Sequence, residues 1–588
     1  MKSKKVLSLL LSVMMIAGML AGCGDSTASS GSGVSGDSAA AGDDTVSEEA
    51  LAAGYEEPMT FDIYDAAANY QGVQTGWFAK VIKDKFNIEI NVIAPQVAGA
   101  EVYQTRCSTG NLGDICILEA TDFQDCVKSG LIKDISAEVP TYSNLAQYQD
   151  QIDTLNNGLD GNTDGITYGI PCQMTNTSPT SYSQDTVYSS PLLRWDLYKE
   201  LGYPEMKDCD DLLDVLAQMQ AAHPTNEDGD PCYPFSLWKD WDGGDGMLGI
   251  ANAAQLTTWY GEKIKGSLLL EPDNTFIPIT DKSGAYYKML HFLYEANQMG
   301  LVDPDSGTQD WNSACDKMKA GRVYLFWYSW QTGFWNTTDR LKEGTGFIFT
   351  PVEDQTYYAD ADTYYGSGRV FCVGSQVEGD KYKRVMDFLD WYTSPEGLVY
   401  EHDGLENFNY SVDSDNKYTL MNSNALMDNL EVPEEYGGGG YNDGNNAINQ
   451  WTVDAISTNP NSGEPYNKDY WSTYKEETMT DMKKDWQERY SAEEPAEYMK
   501  NNNVLLVSPN VSVALPSDSA DLAVIRNQCS SSFSEYSWKM IYANDDADFD
   551  ALWDEMATTL DGLGYQDLVT FDTDKYTIEL NAKLEATK

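Results

Sequence analysis

The sequence predicts an α/β protein built as two lobes, and three observations carry the prediction. Strand-like and helix-like stretches alternate between residues 60 and 118, which implies a parallel sheet with crossover helices. At 588 residues the chain exceeds what one hydrophobic core fills, so two lobes are the default. Phe549, Leu552, Trp553, Met556 and Leu560 fall at helical spacing and add a helix near the C-terminus.

Folding is expected to begin near Met59, with a strand over residues 60–64. Phe78, Val81, Ile82 and Phe86 mark a helix, and residues 88–92 alternate like a strand with one wet face. A further helix ends at Thr109-Gly110 before a short apolar strand over 114–118. Ligands of such sheets sit beyond the carboxyl ends of the strands, which makes Tyr64, Asp65 and Glu119 site candidates. Helices follow over 192–201 and through Leu212, Val215, Leu216 and Met219, the latter with Asp208 as its cap. Another runs over 285–300 with Gly300 as its stop, and one more closes over 317–321. Residues 323–327 and 370–373 read as strands, and Tyr382, Val385, Met386 and Leu389 as an amphipathic helix. Residues 422–502 are polar and aromatic and read as an elaboration.

Lys and Arg number 38 against 93 Asp and Glu, a formal charge of −55 that argues against nucleic acid and anionic lipid as ligands. There are 38 Tyr and 15 Trp against 17 Phe, a bias toward rings with a polar handle that suits a wet binding surface. The three histidines, His223, His291 and His402, show no ligand spacing, which disfavours zinc and histidine-based catalysis. Ten cysteines include Cys23, and the odd remainder is expected to be mostly small buried hydrophobes.

Lys2, Lys4 and Lys5 precede an apolar run over 6–20, the form of a secretory signal spanning residues 1–22. The ending Leu20-Ala21-Gly22-Cys23 resembles the lipobox of bacterial lipoproteins, which implies cleavage before Cys23 and its acylation. Residues 23–54 then read as a disordered tether rich in Ser, Gly, Ala and Asp. Asp160, Asn162 and Asp164 imitate the start of a calcium loop. Pro171 stands where its bidentate acid belongs, so a turn before a strand is the better reading. A shortened acidic loop with Asn226, Asp228 and Asp230 is the remaining calcium candidate; no other cofactor is expected.

Several phrases stand in order along the chain, beginning with Gly130-Leu131-Ile132-Lys133-Asp134-Ile135, Tyr168-Gly169-Ile170-Pro171 and Arg194-Trp195-Asp196-Leu197-Tyr198. Lys319-Ala320-Gly321-Arg322-Val323, Thr393-Ser394-Pro395-Glu396-Gly397 and Gly404-Leu405-Glu406-Asn407-Phe408-Asn409-Tyr410 continue the series, and Lys539-Met540-Ile541 with the helix after it closes it. Taken together they are similar to family 1 extracellular solute-binding proteins of ABC importers, especially oligosaccharide-binding lipoproteins. The resemblance implies a two-lobed periplasmic-binding-protein-like fold of type II, each lobe a mostly parallel sheet flanked by helices, with extra C-terminal helices. It divides the chain into residues 59–167 plus 366–400 as the first lobe and 173–350 plus 401–588 as the second, with crossings near Pro171 and Pro351. It further implies a monomeric receptor on the outer face of a Gram-positive cytoplasmic membrane, held there only by its lipid and partnered by permease subunits.

Sugars need flat aromatics for their ring faces and short polar groups for their hydroxyl rims. Trp238, Asp240, Trp241 and Asp242 supply both in one loop; Trp327, Tyr328 and Trp330 follow a strand; Tyr364, Tyr365 and Arg369 precede another. Gln173, Asn176, Glu406 and Asn409 complete the candidates. The alternatives are a secreted glycan-active hydrolase, a passive glycan-binding surface lipoprotein, and a receptor for peptide or another polar solute. No hydrolase motif stands out, and no catalytic residue is assigned.

Overall fold

A computed structural model describes residues 46–99, 101–162, 164–244, 247–421 and 429–588. The signal segment and Cys23 lie outside these residues. In chain order the strands that position the site are β1 (Met59–Asp65), β2 (Gly72–Val73), β3 (Ile88–Ile93), β4 (Ile115–Glu119) and β5 (Gly169–Pro171). After them come β6 (Ser189–Arg194), β7 (Leu325–Tyr328), β8 (Phe347–Phe349), β9 (Tyr357–Asp360), β10 (Arg369–Val373) and β11 (Leu505–Ser508).

The first sheet has the order β2-β3-β1-β4-β10-β5. Its centre is parallel, with Met59 opposite Ile88 and Ile63 opposite Ile115. β4, at the middle of this sheet, reads as a near-continuous apolar run, whereas β1 and β3 alternate, burying Phe61, Ile63, Ile88, Ile90 and Val92. Tyr64, Cys116, Leu118, Val370 and Cys372 share one apolar cluster on this sheet, while Phe61 packs edge-on against Phe388 of the helix Gly379–Tyr392.

Strand direction departs from the expectation in both lobes. β10 runs antiparallel to β4 and to β5, β2 runs antiparallel to β3, and β6 pairs antiparallel with both β7 and β8. The parallel rule follows from crossover helices within one sheet. β5 and β10 stand where the chain leaves for the second lobe and returns from it, so no such crossover fixes their direction.

Two local expectations are corrected. Residues 192–194 are not helical but the end of β6, and the helix is Trp195–Glu200. β6 is central and buried at every position, and a short, fully buried apolar run has no period that separates strand from helix. The tether also ends earlier than residue 54, because Glu48–Ala52 is a helix capped by Ser47, with Ala50 buried. Lys85 reaches Glu49 at 2.7 Å, and Tyr55 is buried beneath Arg384, 4.6 Å from its ring. Composition could not show this docking, since its partners lie far along the chain.

The remaining helices follow their sequence signals. Asp208 caps Cys209–Ala222 by accepting from the backbone N–H of Asp210 and Asp211, and Gly300 takes φ +74° beyond Ala285–Gln298. The C-terminal helices Ala520–Ile541, Asp546–Leu563 and Tyr565–Ala586 join the second core through Phe533, Phe549, Trp553 and Leu568. Arg526 ties the first of them to the last through Asp572 at 2.7 Å. The described part of 422–502 reaches both sheets: Gln450 Oε1 accepts from Arg369 Nη1 at 3.5 Å, and Trp486 Nε1 donates to the Phe349 carbonyl at 2.6 Å, while Tyr441 stacks on Trp77 of the helix Gly76–Phe86 at 5.3 Å. Eight of the nine cysteines among the described residues are buried, Cys107 being half-buried. Among the described residues no helix is long and apolar enough to cross a membrane.

Candidate functional site

Two sheet edges collect the polar and aromatic candidates. At one edge of the first sheet β1 and β4 end, β5 ends and β10 begins. At one edge of the second sheet β6 begins while β7 and β8 end. The chain passes from the first edge to the second through residues 172–188 and returns through 350–368. The crossing segments therefore join the very edges on which the side chains gather.

On the first edge stand Asp65, Glu119 and Arg369. Arg369 Nε donates to Glu119 Oε1 at 2.7 Å, and its Nη1 donates to Gln450 Oε1 at 3.5 Å. Asp65 is fully buried; its Oδ1 accepts the backbone N–H of Ala67 at 2.8 Å and of Ala68 at 3.1 Å, while its Oδ2 has no partner. Burial pushes its carboxyl up to about 7, against the pull of those two N–H groups and of Arg369. Tyr64 does not join them. Successive strand residues face opposite ways, and Tyr64 is buried in the apolar cluster with its ring 5.8 Å from Tyr103.

On the second edge the aromatic candidates form one graded cluster. Trp238 and Trp327 are its buried base, stacked 2° from parallel with centroids 5.4 Å apart. Tyr328 lies above them, and Trp330 stacks on Tyr328 at 5.0 Å with 38 % of its surface exposed. The turn that presents Trp330 is held by Gln331, whose Oε1 accepts the N–H groups of Trp327 and Tyr328, each at 2.9 Å. Trp241 is half-buried at the side. Two members escaped the sequence reading. Trp311 contacts Trp238 at 4.6 Å and Trp241 at 4.5 Å, and Tyr188 meets Tyr328 at 5.3 Å with 56 % exposure. Tyr188 directly precedes β6, so reading that strand correctly would have exposed it. Trp238 and Trp327 are corrected from contact residues to supports, because neither presents a face to solvent. Asp240 and Asp242 are structural neighbours: Asp240 Oδ2 accepts from Trp311 N at 2.8 Å, and Asp242 accepts from Ala251 N and Trp538 Nε1. Burial holds the Asp242 carboxyl up at about 6.

Residues 71–399, more than half of the chain, match the family described as bacterial extracellular solute-binding protein. The chain belongs to that family. Lipoprotein LipO of Bacillus subtilis (strain 168) is 24% identical over 435 residues, which cover 72% of this chain and 76% of that protein. An extracellular solute-binding protein from Bifidobacterium longum subsp. infantis has a TM-score of 0.58 at 13% identity, covering 90% of this chain and 99% of its own. An HMO-binding, ABC-transporter-associated protein from Bifidobacterium longum infantis gives 0.57 at 15% identity over 90% and 100%. The substrate-binding protein FusA of S. pneumoniae, solved with kestose, gives 0.53 at 17% identity over 89% and 100%. Fold and family thus agree on a two-lobed solute-binding architecture.

The other candidates in this solute-binding protein fall into two groups. Tyr364 and Tyr365 lie on the return crossing, packed edge to face at 4.8 Å; Tyr364 Oη donates to Asp150 at 3.1 Å and Tyr365 N to Asn510 Oδ1 at 2.7 Å. Gln173 lies on the outward crossing at φ +58°, with its N–H on the Trp451 carbonyl at 2.9 Å. Three candidates serve turns and packing instead. Asn176 exchanges hydrogen bonds with the Thr458 backbone, Asn409 is buried with Oδ1 on Leu405 N at 2.8 Å, and Glu406 is exposed beside it. Their polar types matched a binding rim, but the same amides close loops.

In the acidic loop Asn226 Oδ1 accepts from Asp228 N at 3.1 Å and Asp230 N at 2.8 Å, which folds the loop on itself. Among the described residues no three His, Cys, Asp or Glu side chains are grouped to hold a metal ion. A cavity of about 330 Å³ lined by Leu213, Tyr294 and Met299 lies apart from both edges.

Proposed function

We propose that the protein is a lipid-anchored receptor that captures an oligosaccharide between its lobes and delivers it to an ABC importer. The observation that carries this reading is the graded aromatic shelf, whose exposed Trp330 and Tyr188 rest on a buried Trp base. A rigid, flat apolar face is what a sugar ring stacks on, and the polar group around Arg369 offers donors and acceptors to hydroxyls. Burying one such ring gives roughly 4–6 kcal/mol gross, much of which association and ordering costs offset, so two or three platforms suit micromolar affinity. A ligand held by both edges favours the closed arrangement by differential affinity. No chemistry is done on the ligand. Acylation at Cys23 holds the monomer to the outer face of a Gram-positive cytoplasmic membrane, where permease subunits receive the cargo. Calcium at the 225–230 loop is not needed for this reading.

The test is a thermal-shift screen of the whole chain against plant, host and microbial oligosaccharides. Binding to the native state stabilises it by about 2.7 kcal/mol at a hundred times Kd. A shift with one glycan class and no release of reducing ends is the expected result. Shifts with peptides alone would replace the ligand, and catalytic release of reducing ends would replace the receptor by a hydrolase.

A further inference from the structure

We propose that the site accepts uncharged or amine-bearing glycans and rejects glycans that carry carboxylates. The inference rests on the oligosaccharide-receptor reading and names the ligand's charge class. Recognition of a uronate calls for a cation free to pair with it, best a guanidinium in bidentate geometry. Arg369 is the guanidinium on the first edge, and it already donates to Glu119 at 2.7 Å. Asp65 is buried near it with Oδ2 unpartnered, so this edge holds two carboxyl groups to one guanidinium, which is already paired.

The shelf repeats the imbalance. Two lysines on its own segments lie over aromatic rings, Lys239 at 4.9 Å from Trp538 and Lys319 at 5.7 Å from Phe334. Against them stand Asp240, Asp242 and Asp310, none in a salt bridge among the described residues. A hydroxyl or ammonium on the ligand therefore meets acceptors on Glu119 and on the exposed Asp240 and Asp310, whereas a carboxylate meets like charge there. The chain's formal charge of −55 adds longer-range repulsion that salt screens.

The experiment is isothermal titration of the whole chain in mild detergent with three sets of trisaccharides. The neutral set is cellotriose, mannotriose and maltotriose; the acidic set is trigalacturonate and trimannuronate; the amine set is chitosan trisaccharide. Neutral or amine sugars should bind at least about tenfold more tightly than any uronate, with the gap widening at low ionic strength. Glu119→Gln, which releases Arg369, should raise the uronate-to-neutral affinity ratio severalfold. A uronate that binds as tightly as its neutral counterpart, or a ratio unmoved in a folded Glu119→Gln chain, overturns the proposal. Silence from every glycan overturns the oligosaccharide reading instead. The charge preference is then read from tryptophan quenching, taken as the difference between the native chain and Trp330→Phe. Caesium should quench the Trp330 component more than iodide does, and the reverse order overturns the proposal.

Discussion

Trp238 and Trp330 belong to one aromatic cluster and carry different loads. Trp238 is fully buried against Trp241, Trp311 and Trp327, so Trp238→Ala should cost about 3–5 kcal/mol in urea unfolding. Trp330 is 38 % exposed, so Trp330→Ala should leave stability within roughly 1 kcal/mol yet lower glycan affinity about tenfold or more. Unchanged affinity in a folded Trp330→Ala chain would remove the shelf from the site. Glu401 carries a separate prediction. Its carboxyl accepts from Asn446 Nδ2 at 2.5 and 2.6 Å, and burial pushes it up from 4.5 to about 8. Between those values the folded chain holds a proton that the unfolded chain has lost. Its stabilising contribution is therefore whole below pH 4.5 and declines as pH rises to 8. His402, lowered by burial from 6.5 to about 4, acts in the opposite direction between pH 4 and 6.5. The Glu401 effect is thus separable from His402 above pH 6.5. Glu401→Gln should flatten the fall in urea midpoint between pH 6.5 and 8, and an unaltered slope would show that other acids carry it.

At the scale of elements, the helices with caps were the most legible. Asp208 holds two N–H groups at 3.1 Å each, so Asp208→Ala should cost about 1 kcal/mol, read as a lowered melting temperature. Asp546–Leu563 was equally plain, since Asp545 caps it and its buried residues Phe549, Trp553, Met556 and Leu560 keep one face. β6 was not legible. Its Leu192 and Leu193 adjoin Trp195 and Leu197, which lie in a helix, and only the pairing with β7 and β8 decides where strand ends. The helix Glu48–Ala52 was hidden for a related reason. Five residues cannot hold a helix alone, and this one depends on its packing against Gly76–Phe86.

At the scale of the molecule, the two crossings meet near Gly366. This residue takes φ +93°, and a Cβ there would stand 2.7 Å from Pro171 Cβ and 2.8 Å from the Cys172 carbonyl. Beside it β9 and β11 pair in parallel, with Tyr357 opposite Leu505 and Asp360 opposite Ser508, which braces the return crossing. Gly366→Ala should therefore strain the junction of both crossings and weaken ligand binding severalfold by titration calorimetry. Wild-type affinity in that variant would show that the junction does not govern the approach of the edges.

Much was determined by the sequence alone: the α/β class, the capped helices, the central parallel strands, and the aromatic and carboxylate residues from which any site must be made. Local periodicity and capping chemistry fix such features, because they depend on neighbours within a few positions. The tertiary structure decided which residues of each group act together. It turned Tyr64 into the apolar cluster, sank Trp238 and Trp327 beneath Trp330, added Trp311 and Tyr188, and set Gln450 beside Arg369. Burial and partnership depend on chain segments tens to hundreds of residues apart, and no local pattern records those distances.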